Sequence, residues 1–404
     1  MARKKVIDEQ PKKDSLAKRK QTLDKLFAEL SEQSGVIAGS PARVKAVRDR
    51  MTFKYIPTPV PALNEALGGG IPRGHMTLIP GRSDSGKTGF CLNTIGDAMK
   101  RDKDFIALWV ESEDSIDIDQ AADLYGIDLS RFYCLTTTDP VTKKQNYGAE
   151  AVGDAIIKVL RDEAHVDICV INSLKMLVPM KETAKNMDED TIALQARFNA
   201  KLMKKLIPLC AQKDTALVII QHYTTNMAAG IYGNPEMIGG GKAIRYNNMA
   251  TLEFSTLKLD DGDPITPDEG MKIKVRITKN HCVINRNPRA DIIYYIEYGK
   301  GVEKYITTLN QLIKKGIVQQ HGSWLSVDDA DGNKDPNMSW QGKNRFKQDM
   351  IENPAKFDTL CAMLDGETGD VIPLSQEENA ELDKEEMDLS SEMSEIEKEV
   401  DGNE

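Results

Sequence analysis

Hydrophobic positions along this chain follow two periods. Short, nearly continuous apolar runs recur at Thr77–Ile79, Phe105–Glu111, Phe132–Leu135, Val166–Leu174 and Ala216–Gln221. Runs of that length without polar alternation predict strands buried on both faces. Between them, apolar residues fall at helical spacing from Lys87 to about Lys100, over Ala149–Ala164 and over Thr191–Gln212. Strands alternating with helices predict an α/β fold, a mainly parallel sheet covered on both sides. Further on, Ala250–Leu259, Met271–Lys279 and Asp291–Tyr298 alternate and predict an antiparallel extension. Residues 304–362 predict a small α/β segment, with Trp324, Trp340 and Phe346 as core anchors. Tyr55–Gly74 reads as a strand end, a short helix and a three-glycine turn. Near the start, Leu16–Gln33 has a helical stripe with Ser15 as N-cap. One amphipathic helix cannot bury its own face, so it needs the main domain or a neighbouring chain.

Charge changes the picture at the C-terminus. The segment 365–404 holds 16 acidic residues and 2 lysines, a net −14 against −10 for the whole chain, which leaves +4 elsewhere. The body can therefore meet a polyanion although the chain as a whole is acidic. The tail itself reads as solvated and disordered. No apolar run approaches the ~20 residues of a membrane span, and the basic N-terminus lacks a signal-type apolar stretch. Six scattered cysteines without a CxxC pair read as reduced and structural in a cytoplasmic protein.

The chemistry centres on Met76–Phe90, MTLIPGRSDSGKTGF. A buried strand runs into Gly81-Arg82-Ser83-Asp84-Ser85-Gly86-Lys87-Thr88 and then a helix, the full context of a P-loop. Glycines at both ends let successive N–H groups converge on phosphate oxygens, and the helix N-terminus adds positive charge. Lys87 can reach β- and γ-phosphates and the Thr88 hydroxyl can ligate Mg²⁺. The cofactors implied are a nucleoside triphosphate and Mg²⁺.

Hydrolysis needs more. The second strand ends in Glu111-Ser112-Glu113-Asp114, on the edge where the P-loop opens. Glu113, or Glu111, is placed to polarise a water; the competing role is an N-cap for the next helix. The fourth strand should end in a Walker B carboxylate, and it ends in Asn172. An amide accepts a hydrogen bond from a metal-bound water but lacks the charge. Asp167 lies too early in the strand to replace it. Gln221-His222 ends the fifth strand, where a donor senses a γ-phosphate or a buried histidine simply caps the strand. His222–Asn247, rich in Gly, Asn and Met, reads as one long functional loop. With 180–190 it offers lysines and arginines near Tyr223, Tyr232 and Tyr246, a composition suited to single-stranded nucleic acid.

At this point the chain resembles a RecA recombinase, and in parts the phage UvsX branch of that family. GGGIPRG precedes the P-loop, and Trp109-Val-Glu-Ser-Glu113 is similar to the strand carrying the family's catalytic Glu. Ile231-Tyr-Gly-Asn-Pro-Glu236 with Gly239-Gly240 resembles its second DNA-binding loop. Ile277-Thr-Lys-Asn280 resembles the segment that reaches ATP on the adjacent protomer. Glu297-Tyr-Gly-Lys-Gly-Val302 resembles the end of its core, and Gly322-Ser-Trp324 with Gln341-Gly-Lys343 its small C-terminal domain. The resemblance covers roughly 55–362.

It implies a RecA-type P-loop core over 51–303 with DNA-binding loops and a small C-terminal domain over 304–364. The basic segment 1–50 would carry an oligomerisation helix, and the acidic tail would occupy 365–404, either as a DNA mimic that restrains duplex entry or recruits partners or as a plain solvated tail. It implies Glu113, Lys87, His222 and Lys279 as catalytic, with Lys279 acting across a protomer interface. Gly81, Arg82, Ser83, Asp84, Ser85, Gly86, Lys87, Thr88 and Tyr298 would hold nucleotide, and Thr88 and Asn172 the metal. Lys181, Lys185, Arg197, Asn234, Gly239, Gly240, Lys242 and Arg245 would contact DNA. The implied activity is a DNA-dependent ATPase forming a helical homo-oligomeric filament on single-stranded DNA and pairing it with homologous duplex. Single-stranded-DNA-binding and mediator proteins would be further partners, in the cytoplasm of a bacterium or a phage host. Two departures, Asn172 and a histidine at 281 where a second trans-acting Lys is usual, put turnover in question. They leave an alternative, an ATP-gated DNA-binding filament that hydrolyses little or nothing.

Overall fold

The computed structural model describes residues 21, 22, 25, 52–138, 148–162, 165–180, 192–225, 236–260, 263–283, 290–328 and 334–368. Nearly all of the expected N-terminal helix, the loop over 181–190 and the tail from 369 lie outside the described residues.

The chain opens with β1 (Tyr55–Ile56), α1 (Pro61–Leu67) and β2 (Ile71–Pro72). The P-loop unit follows as β3 (Met76–Gly81) and α2 (Lys87–Arg101). Next come β4 (Ala107–Glu111), α3 (Ile118–Tyr125), β5 (Phe132–Thr136), α4 (Ala149–Arg161) and β6 (Ile168–Asn172). Then α5 (Ile192–Lys213), β7 (Ala216–Thr225), β8 (Glu236–Ile238), α6 (Lys242–Asn247) and β9 (Ala250–Leu257). The antiparallel part is β10 (Gly270–Asn280), β11 (Ala290–Glu297) and β12 (Gly301–Val302). The last segment holds α7 (Lys304–Lys314), β13 (Gln319–His321), β14 (Trp324–Asp328), β15 (Lys334–Gln341), α8 (Gly342–Glu352) and α9 (Pro354–Thr368).

Among the described residues one large sheet has the order β12-β11-β10-β9-β3-β7-β6-β4-β5, with β8 paired to β7. From β9 to β5 every neighbouring pair is parallel, and β10, β11 and β12 add on antiparallel. The fold is therefore the expected α/β one, a mainly parallel sheet flanked by helices with an antiparallel extension.

The period of two divides each apolar run between two cores. Ile79, Trp109, Val170 and Val218 face one core with Phe90 and Ile95 of α2 and Leu63 of α1. Leu78, Leu108, Ile171 and Ile219 face the other, with Ile156 of α4 and Leu202 and Leu206 of α5. In β3, β4, β6 and the apolar part of β7 neither strand face meets water, which is why those runs show no polar alternation, whereas β5, at the edge of the sheet, is only partly buried and exposes Tyr133. A third cluster gathers Leu309, Leu325, Trp340, Phe346 and Leu360 around the small sheet β13-β14-β15.

Two expectations need correction. His222–Asn247 is not one loop: β7 continues through Thr225 and pairs antiparallel with β8, and α6 follows. The hairpin arms are too short and too polar to leave an apolar pattern. Trp324 is not a core anchor, being 50% exposed, whereas Trp340 and Phe346 are buried. Leu325 and Val327 point inward, and strand alternation turns Trp324 outward.

Candidate nucleotide and DNA site

β3 is buried throughout and lies between β9 and β7, so its C-terminal end is fixed on both sides. A Cβ at Gly81 would meet the Phe254 carbonyl and Ser85 Oγ at 2.7 Å each, too close for any side chain. Gly86, at φ 80°, is the left-handed N-cap from which α2 starts. Ser85 Oγ donates to the Arg82 carbonyl at 2.8 Å and closes the loop. Arg82, Ser83 and Asp84 are exposed, and Thr88 is half-buried in the first turn of α2.

Lys87 is buried, and its Nζ donates to the Arg82 carbonyl at 2.5 Å and to Ser85 Oγ at 3.3 Å. Burial pushes its pKa below the ordinary value, while Glu113 and Asp84 pull it back up. An ammonium under that strain, bonded to neutral oxygens at a helix N-terminus, is prepared for an anion.

The two glutamates after β4 part company. Glu111 is buried; Trp109 Nε1 and Asn172 Nδ2 each donate to its Oε2 at 2.9 Å, and the Glu113 N–H donates to Oε1 at 2.9 Å. Glu113 reaches the other way. Its Oε1 lies 3.0 Å from His222 Nε2 and accepts a hydrogen bond from Ser173 Oγ. The N-cap of α3 is Asp117, which accepts from the Gln120 N–H, so Glu113 does not cap that helix. Asp167 is held by Arg73 Nη1 at 2.6 Å and by the Ile106 N–H at 2.8 Å, far down the strand.

His222 stands in register with Gly81 across β7 and β3. Its neighbour Gln221 is buried, with Oε1 unpartnered. Gly239 and Gly240 lie against Gln221 Nε2, where a Cβ would sit at 3.0 and 3.3 Å, and Asn199 Nδ2 donates to the Gly240 carbonyl at 3.1 Å. Arg82 forks onto Glu236, Nε at 3.0 Å from Oε1 and Nη2 at 3.2 Å from Oε2. This joins the P-loop to the start of β8. Nothing in the sequence links residues 154 positions apart; the Trp109, Ser173, Gln221 and Asn199 contacts were equally invisible, although all four lie at or beside strand and helix positions already singled out.

Lys279 Nζ donates to the Tyr246 carbonyl at 2.9 Å, and burial lowers its pKa. Tyr246 and Tyr298 are exposed, as are Arg197, Lys242 and His281; Arg245 is half-buried. Lys181, Lys185 and Asn234 lie outside the described residues.

A family model described as the RecA N-terminal domain matches residues 24–303. The chain belongs to the RecA family. Protein RecA of Aquifex aeolicus is 29% identical over 348 residues, 86% of this chain and 92% of the relative. Protein RecA of Thermus aquaticus is 28% identical over 339 residues, 82% of this chain and 91% of the relative. Protein RecA of Bifidobacterium longum is 27% identical over 360 residues, 87% and 83%. Membership in the RecA family gives the chain its general role in DNA recombination and repair. RecA-family proteins use ATP and Mg²⁺, and the residues here fit that pair. The P-loop presents its amides and Lys87, Thr88 brings a hydroxyl, and Asn172 holds a buried, unpartnered Oδ1 at the same sheet edge. Among the described residues no helix is long and apolar enough to cross a membrane.

Proposed function

We propose that the protein is a DNA-dependent ATPase that forms a helical filament on single-stranded DNA and pairs that strand with homologous duplex. The observation that carries this reading is the Glu113–His222 contact, which joins the nucleotide edge of the sheet to the strand entering the glycine-rich segment.

The P-loop amides from Gly81 to Thr88 cradle the phosphates. Lys87 exchanges the Arg82 carbonyl for β- and γ-phosphate oxygens. Thr88 and Asn172 would hold Mg²⁺, which when bound would offset the negative charge of the phosphates. Glu113 accepts a proton from the attacking water, and His222 reads the γ-phosphate and passes its presence along β7. Lys279 acts across the protomer interface, and Tyr298 lies beside the nucleotide.

The segments 180–190 and 223–247, with Arg197, hold the single strand, Lys181, Lys185, Lys242 and Arg245 meeting phosphates. The helix over 16–33, within the segment 1–50, packs on the adjacent protomer, 51–303 form the ATPase core, and 304–364 form the small C-terminal domain. Single-stranded-DNA-binding and mediator proteins are further partners, in the bacterial or phage-host cytoplasm. Electron microscopy with single-stranded DNA and a slowly hydrolysed ATP analogue, alongside a strand-exchange assay, tests this. Helical filaments and joint molecules are expected; closed rings, or no nucleotide-dependent DNA binding, would overturn it.

A further inference from the structure

Asn172 and Glu111 are register partners on the neighbouring parallel strands β6 and β4, and each is the last residue of its strand. Both are buried. Three groups approach the Glu111 carboxylate: the Trp109 indole, the Asn172 amide and the Glu113 N–H, each at 2.9 Å. All three are donors, the bonding pattern an ionised carboxylate accepts. This fixes the amide of Asn172. Flipping it would set Oδ1 against Glu111 Oε2, two acceptors with no proton between them. Oδ1 is therefore turned away from Glu111, and it is buried with no hydrogen-bond partner. A buried, orphaned acceptor needs a reason, and here it lies on the edge of the sheet that carries the P-loop.

We propose that Glu111 and Asn172 share the work of one metal-facing acid. Asn172 Oδ1 accepts from a water on Mg²⁺; Glu111 holds the amide in that orientation and supplies the negative charge behind it. Glu111 is a positioning residue, acting through Asn172, and its role is separate from that of Glu113, which turns to His222. The same geometry explains the amide. A carboxylate at 172 would sit 2.9 Å from Glu111 in a buried place, where like charges repel most strongly. The acid has in effect moved one strand across, to the partner position in register. This inference rests on the ATP and Mg²⁺ reading of the site.

The test is binding of a fluorescent ATP analogue titrated with Mg²⁺, for the full-length wild type, Glu111→Gln, Asn172→Ala and Glu111→Gln/Asn172→Asp. Circular dichroism and binding without Mg²⁺ serve as controls. Glu111→Gln is expected to raise the half-saturating Mg²⁺ by roughly 10–100-fold, as loss of an outer-shell partner does, while Mg²⁺-free binding is kept. Asn172→Ala should give a shift of the same order. In the double variant a Gln at 111 turns its Nε2 to an Asp at 172 and the negative charge returns to position 172; the Trp109 indole, which shares Oε2 with Asn172 in the wild type, then loses its acceptor, so the Mg²⁺ midpoint recovers in part, clearly below that of Glu111→Gln alone.

A wild-type midpoint in folded Glu111→Gln overturns the proposal, as does a double variant no better than the single one. If Glu111→Gln does not fold, Asn172→Ala decides alone: an unshifted midpoint overturns it. A wild type that binds no nucleotide, or binds it independently of Mg²⁺, sinks the reading of the site itself, a distinct result.

Discussion

His222 Nε2 lies 3.0 Å from Glu113 Oε1, a contact spanning 109 residues of sequence. His222 is level with Gly81 of the P-loop strand, and β7 runs on from it to Thr225. In the proposed mechanism a change at the nucleotide shifts the strand that enters the glycine-rich segment. His222→Ala is expected to bind nucleotide but to lose the rise in oligonucleotide affinity that ATP gives over ADP. Fluorescence anisotropy of a labelled single strand measures this; an undiminished rise would contradict it.

Glu113→Gln should depress ATP hydrolysis by about 10²–10⁴-fold, the usual contribution of a positioned general base. Nucleotide affinity should stay near wild type, because Glu113 is bonded to His222 and Ser173 and not to the P-loop. Single-turnover hydrolysis with a parallel binding titration separates the two quantities. A large loss of affinity would assign Glu113 to binding.

Lys87 gives a pH dependence with a definite sign. Burial holds its pKa below 10.5, so the folded protein releases this proton at lower pH than the unfolded chain does. Between the lowered value and 10.5 the unfolded chain binds more protons, and stability rises with pH. Below that window the cost of the buried charge is felt in full. Nucleotide-free Lys87→Met should thus be more stable than wild type at pH 7, with the gap closing towards pH 10.5. Denaturant unfolding at several pH values reads it, and a constant gap would contradict it.

In the C-terminal segment two aromatics should behave oppositely. Phe346 is buried, edge-on to Trp340, and Phe346→Ala should cost about 3–5 kcal/mol. Trp324 is half exposed, and Trp324→Ala should change stability by no more than about 0.5 kcal/mol. Equal losses would mean that the small sheet buries Trp324 in some further contact.

The centre of the large sheet was legible because its strands are buried on both faces: Leu78–Ile79 and Trp109–Val110 feed two cores, and continuous apolar runs report that directly. The P-loop was legible because its chemistry is local, eight consecutive residues between a strand and a helix. The rest of the site was not, because it is assembled at strand ends from distant positions. Sequence could name Glu111 and Glu113 as candidates but not divide them. What divides them is register, which puts Asn172 opposite Glu111 and leaves Glu113 free to turn to His222. The hairpin of β7 and β8 was hidden by its brevity, and Trp324 misled because its size was read without its parity on the strand.

The most direct measurement is ATP hydrolysis with and without single-stranded DNA, in wild type and Lys87→Ala. Stimulation by DNA in wild type, abolished in Lys87→Ala, is the expected result. No hydrolysis by wild type under either condition, or stimulated hydrolysis surviving the loss of Lys87, would contradict a DNA-dependent ATPase built on this P-loop.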